Sequence, residues 1–151
     1  MGRQFEKLAE EALQRKKYAM EKDNGLSGNA PITHDLWRRL VPIAREYEKG
    51  NGAMAQLYTY LLAHVNGHPD NDRYMSAFPS TDKIAEETGI GRNRIARLAK
   101  VLEAVGLLKT AYDYTLSRRN KLYYPQYYSD LSDEEIRQRL AELYGQSPYS
   151  D

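Results

Sequence analysis

The sequence contains no cysteine, one tryptophan, two phenylalanines and three histidines. Without cysteine there is no disulfide framework, no thiolate nucleophile and no sulfur-ligated zinc, a usage that fits a cytoplasmic chain. His64 and His68 are four residues apart, but Gly67 interrupts the spacing and no glutamate or cysteine completes a zinc set. No apolar run approaches the roughly 18 residues of a membrane span, and the opening "MGRQFEKLAEEALQRKKYAM" is too charged for a signal peptide. "GIG" at residues 89–91 lacks both the preceding strand and the third glycine of a nucleotide loop. Asp133, Glu134 and Glu135 read as first-turn residues matched to a helix dipole, not as a catalytic carboxylate set. No catalytic residue, metal or cofactor is expected, and the chain reads as a non-enzyme.

An excess of one sign of charge is also lacking. The formal net charge is only +1, which taken whole argues against a nucleic-acid partner. The distribution argues otherwise. Residues 78–128 hold nine basic residues (Lys83, Arg92, Arg94, Arg97, Lys100, Lys109, Arg118, Arg119 and Lys121) against five acidic ones. From Asp130 onward six acids face two bases, Arg137 and Arg139. The positive charge is local, so a whole-chain average hides it. With 151 residues, 28% of them charged and 41% hydrophobic, the chain is long enough for one globular domain with a core, plus extensions.

The patterning predicts mostly helix. Residues 3–22 are strong helix formers with Phe5, Leu8, Ala12 and Leu13 on a narrow stripe, so this helix needs a partner to be stable. "KDNGLSGNAP" reads as a linker. Thr33 is placed to cap a helix carrying Leu36, Trp37, Leu40, Val41, Ile43 and Ala44, with a bend at Pro42. "KGNG" ends it, and residues 54–66 form the most apolar helix, with Leu57, Tyr58, Leu61, Leu62 and Val65 on one side. "GHPDNDRYM" is a loop and "SAF" a short extended piece. Ser80 or Thr81 caps a short helix to Thr88, Gly89 permits a left-handed turn, a second helix covers residues 92–105, and Gly106 stops it. "LLKTAYDYT" and "NKLYYPQYY" are β-prone around a polar "LSRR", a hairpin pattern, and Ser132 with Glu135 opens a last helix.

The segment "STDKIAEETGIGRNRIARLAKVLEAVGLLK" resembles a helix-turn-helix of the winged kind. Ile84 and Ala85 stand at the core sites of its first helix, Gly89 at the turn, and Ile95 and Leu98 at the core sites of the second. Alanine lets the helices cross closely, and glycine takes the positive φ of a tight turn. The longer run over residues 30–128 is similar to winged-helix domains of plasmid and phage replication-initiation proteins, which implies a role in replication, partition or transcriptional control. The expected fold is mainly α with a small antiparallel β-hairpin (α+β), a winged helix-turn-helix with extra N- and C-terminal helices. Its expected divisions are an N-terminal helix and linker at 1–29, the winged domain at 30–128 and a C-terminal helix at 129–151.

At about 100° per residue, Ile95, Leu98, Ala99, Leu102 and Val105 share one arc of the second helix, and Asn93, Ala96, Arg97 and Lys100 share the opposite one. Arg94 falls at the edge of the buried arc. Arg97 and Asn93 are therefore the expected base readers, since arginine pairs twice with guanine and asparagine with adenine, while Ala96 offers contact to a thymine methyl. Arg92, Arg94 and Lys100 suit phosphates. The resemblance puts Arg118, Arg119 and Lys121 on a wing that meets the backbone or minor groove, and Ser80 and Thr81 complete the expected DNA contacts. Glu86 and Glu87 are expected to face away from the duplex or to modulate its approach. A solvated helix face is the ordinary role of such arginines; recurrence of the charge on two elements favours DNA.

Tyrosines of "LYYPQYY" are read as packing on the helices in preference to stacking on bases. The expected partner is double-stranded DNA, in a cytoplasmic, nucleoid- or plasmid-associated protein without membrane contact. The competing class is a winged-helix module that docks a protein partner through its terminal helices. A homodimer is expected, joined outside the motif. Ile136, Leu140 and Leu143 form a seam that either pairs with a copy of itself or covers the chain's own core.

Overall fold

The computed structural model describes residues 5–21, 26, 28–113 and 120–145. The chain divides into two compact units, residues 1–31 and 32–151.

The first unit holds helix α1, Glu6–Met20, rich in alanine, glutamate and lysine, none of whose residues is buried. The Asn29 side-chain amide donates to the Ala19 carbonyl at 2.5 Å.

The second unit opens with a π-helical turn at Leu36–Leu40 that runs into α2, Val41–Tyr47. The widened turn has a local cause. Pro42 lacks an N–H and its ring crowds the carbonyl four residues back, so the Val41 N–H reaches to the Leu36 carbonyl instead. The expected Thr33 cap makes no side-chain hydrogen bond to the helix start, and Trp37 turns outward, 61% exposed. A 3₁₀ turn, Lys49–Gly52, leads into α3, Ala53–Ala63, whose Met54, Leu57, Tyr58 and Leu61 are buried centrally. The helix stops short of Val65, which is only partly buried.

Helix α4, Thr81–Thr88, is capped by the Ser80 hydroxyl accepting from the Lys83 N–H at 3.1 Å. Gly89 takes φ 77°, a conformation that costs side-chain-bearing residues energy, and Ile90 tucks into the core behind it. Helix α5, Arg92–Ala104, follows and ends at Gly106, φ 88°. A Cβ there would lie 2.5 Å from the Ser129 hydroxyl and 3.0 Å from Leu131, so both backbone and space require glycine.

Strands β1, Leu108–Asp113, and β2, Asn120–Pro125, pair antiparallel from Leu108 opposite Pro125 to Asp113 opposite Asn120. The short extended piece before Pro79 joins them through an antiparallel bridge between Ala77 and Tyr123. Tyr123 packs into the core, whereas Tyr128 stays exposed. The fold is thus mainly helical with a two-stranded antiparallel hairpin after the helix-turn-helix, as expected.

Helix α6, Asp133–Leu143, is capped by Ser132 and packs on α5 and α2. Ile136 and Leu140 are fully buried in the core shared with α2, α3 and α5, so the C-terminal seam covers the chain's own interior. Polar ties seat it. Arg39 holds Asp35 through two bonds of 2.8 Å, then donates to the Leu131 carbonyl and to Asp133, and these hydrogen-bonded carboxylates hold its guanidinium well above the usual arginine range. Arg137 grips Glu46 at 2.9 and 3.1 Å, and the Tyr47 hydroxyl donates to the Arg137 carbonyl.

Candidate nucleic-acid interface

The two helices α4 and α5 are locked by the residues that close their turn. Thr88 donates from its hydroxyl to the Ile84 carbonyl and accepts from the Ile90 N–H. Gln56 of α3 donates to the Thr88 carbonyl at 2.6 Å. Ile84, Ile95 and Leu98 are fully buried and Ala85 is partly so, the disposition that a close helix crossing needs. On α4, Glu87 accepts from the Tyr60 hydroxyl at 2.6 Å. Burial first, and that bond second, push the Tyr60 hydroxyl up to about 12.

On α5 the buried side is wider than the five residues the sequence places there. Val101 and Ala104 are buried as well. Helix α5 packs on α6 as well as on α3 and α4, and periodicity within one helix cannot reveal how many partners cover it. The exposed side that remains carries Arg92, Asn93, Arg94, Ala96, Arg97 and Lys100. Arg97 is exposed on the polar side of α5 and also meets Tyr144, at the C-terminal end of α6. Its guanidinium lies 4.3 Å from the centroid of the Tyr144 ring, a cation–π contact of about 0.5–1 kcal/mol at an exposed position.

Tyr144 is itself fixed. Its hydroxyl donates to Glu48 at 2.7 Å and accepts from the Asn51 amide at 2.9 Å, and its ring stacks on Tyr47 with centroids 5.8 Å apart. Burial, and then the bond to Glu48, raise its hydroxyl above the ordinary tyrosine value, which keeps it a donor. Asn51 is 1% exposed and also donates to the Ala44 carbonyl, so ring and turn form one rigid unit.

Arg94 is likewise engaged. It donates to the Gly50 carbonyl at 2.8 Å. A Cβ on Gly50 would meet that guanidinium at 2.6 Å, so the glycine makes room for the arginine. Arg45 donates to the Lys49 carbonyl in the same turn. Arg45, Lys49 and Arg94 therefore gather around one short loop, beside Glu48. Arg92 pairs with Asp82 at 2.8 Å, but both side chains are about two-thirds exposed, where such a pair contributes little and yields readily to a phosphate. The N-cap of α5 is Gly91 in extended conformation with no side chain to satisfy the first N–H groups, which leaves a positive helix end open to anions.

The remaining expected residues lie as follows. Ser80 caps α4 and Thr81 begins it, both exposed. Lys121 folds back along its strand with its ammonium 5.1 Å from the Tyr123 ring centroid. Arg118 and Arg119 lie outside the described residues. Sequence reasoning missed Arg45, Lys49, Gly50 and Tyr144, because nothing in linear spacing links position 50 to 94 or 144 to 97. The two glycines of "KGNG" are the one signal available: a turn so built invites close approach.

No helix among the described residues is long and apolar enough to cross a membrane. No curated protein and no solved structure matches the chain. Residues 58–108, about a third of the chain, match the family model described as a helix-turn-helix domain. That span runs from the middle of α3 through α4 and α5 to the first residue of β1, so family pattern and geometry agree on a helix-turn-helix in this segment.

Proposed function

We propose that the protein binds double-stranded DNA sequence-specifically, with α5 in the major groove and the β1–β2 hairpin on the backbone or minor groove. One observation carries the reading: the solvent-facing side of α5 holds four cations, and among the described residues no buried carboxylate pairs with any of them. Arg92 has only an exposed ion pair, Arg94 a backbone carbonyl and Arg97 an aromatic ring, while Lys100 is exposed. Arg94 and Arg97, held by neutral groups, keep their charge and lose conformational freedom, which suits them to phosphates and base edges.

Asn93 and Arg97 read bases, with Ala96 against a thymine methyl. Arg92, Arg94 and Lys100 engage phosphates, with Ser80 and Thr81 at the margin, and Arg118, Arg119 and Lys121 supply the wing. Arg45 and Lys49 extend the footprint past the start of α5. One such helix reads only a few base pairs, so the active form is a homodimer on paired half-sites. The resemblance to winged-helix domains of plasmid and phage replication-initiation proteins supports a role in replication or maintenance of such an element, carried out in the cytoplasm and without catalysis.

Fluorescence anisotropy with a random-sequence duplex tests the reading. Binding should be micromolar at about 50–100 mM salt and weaken steeply as salt rises. Arg92→Ala with Lys100→Ala should weaken every duplex alike and flatten the log–log salt slope by about two units, roughly one for each lost phosphate contact. Absence of binding at low salt would reject it in favour of a protein-docking module.

A further inference from the structure

Helix α1 carries an apolar face that nothing described in its own unit, residues 1–31, covers. At about 100° per residue, Phe5, Leu8, Ala9, Ala12, Leu13 and Met20 fall on one arc, with Lys16 as the cation among them. Phe5, Leu8 and Met20 are each 64% exposed and Leu13 is 50% exposed. A 15-residue helix is marginal alone in water, so the face calls for a cover.

The charges along the helix say what kind. Glu6, Glu10 and Glu11 outnumber the single Lys7 in its first half, and Arg15, Lys16 and Lys17 fill its second. This order favours the helix's own dipole, and it also makes the helix complementary to itself in one orientation. Laid antiparallel, two copies set each acidic half against a basic half. Laid parallel, they set like against like, which is destabilising. An isologous pair related by a twofold axis has this antiparallel form.

We infer that α1 is a self-association element, pairing antiparallel with α1 of a second copy of this chain through the Phe5–Leu8–Leu13–Met20 face. The seam on α6 is unavailable for the purpose, because Ile136 and Leu140 are buried in their own core. The consequence for DNA, two α5 helices delivered together to two half-sites, rests on the DNA-binding reading; the association itself does not.

The full-length chain, without DNA, provides the test by light scattering or sedimentation from about 5 to 500 μM, a range suited to so small an interface. The parent should pass from the mass of one chain to that of two. Two charge variants discriminate the occupant. One replaces Glu6, Glu10 and Glu11 by lysine; the other replaces Arg15, Lys16 and Lys17 by glutamate. Each alone should stay monomeric, and an equimolar mixture should form the heterodimer. Leu8→Asp with Leu13→Asp should abolish the parent's dimer while leaving the thermal transition of residues 32–151 in place. A parent monomeric at every concentration would overturn the inference. So would a dimer that persists in the aspartate variant, or charge variants that dimerise singly as the parent does.

Discussion

Arg97 shows how a residue's role depends on a neighbour far away in sequence. Helical spacing puts it on the polar side of α5, which holds, but the Tyr144 ring beneath it comes from 47 positions later and converts a mobile side chain into a positioned one. If the ring holds the guanidinium ready for a base, Tyr144→Phe should preserve base preference despite losing the bonds to Glu48 and Asn51. Tyr144→Leu should cost about 0.5–1 kcal/mol on the preferred duplex, the worth of an exposed cation–π contact. Anisotropy on the preferred duplex and on one with a single base changed reads this out. Equal affinities for parent and leucine variants would assign the ring to packing alone. Arg94 follows the same logic: its ambiguous place at the edge of the buried arc resolves once the Gly50 carbonyl is seen to receive it.

Among the elements, α4, the Gly89 turn and α5 are legible from sequence because their signals are local: a serine cap, a glycine at positive φ, apolar positions at helical spacing. The hairpin is legible for the same reason. The π-turn before α2 is foreshadowed only as a bend, since Pro42 announces a lost hydrogen bond but not where the helix will recover it. For α6, spacing supplies an apolar seam without naming its partner. The structure assigns it to the core, and a prediction follows. A chain ending at Ser129 loses Ile136 and Leu140, each 0% exposed, at about 1.5–3 kcal/mol apiece in burial. The total is a large fraction of a typical domain's stability of about 5–15 kcal/mol. The truncated chain should therefore show a broadened or absent cooperative transition in urea or heat, followed by circular dichroism. A melting temperature within a few degrees of the parent's would show that α6 is dispensable.

Considered whole, the molecule's stability should carry the mark of its buried tyrosines. Burial pushes the Tyr58 hydroxyl up to about 12, and Tyr123 is raised by burial as well. A phenol whose folded pKa exceeds its unfolded value near 10 gives up a proton more readily when unfolded. Its contribution is fully present below about pH 10 and is lost as pH climbs through about 12. Denaturant stability should thus fall across that window, with Tyr58 accounting for about 2 kcal/mol. Tyr58→Phe should be less stable by about 1 kcal/mol at neutral pH, because the bond to the Gln126 carbonyl is gone. Its decline between pH 10 and 12 should be shallower. A decline as steep as the parent's would place the alkaline loss elsewhere.

Local chemistry in the sequence determined which segments are helical, where the helix-turn-helix turns, and that positive charge concentrates on α5 although the chain as a whole is nearly neutral. These properties depend on residues within a few positions of one another, so periodicity, caps and glycines carry them. Only the tertiary structure decided that α6 closes the core, that Val101 and Ala104 are covered, and that Arg94 and Arg97 are held by Gly50 and Tyr144. The contacts of Arg94 with Gly50 and of Arg97 with Tyr144 join positions 44 and 47 residues apart, and such contacts are set by which faces pack together, a property of the folded chain that no local pattern contains.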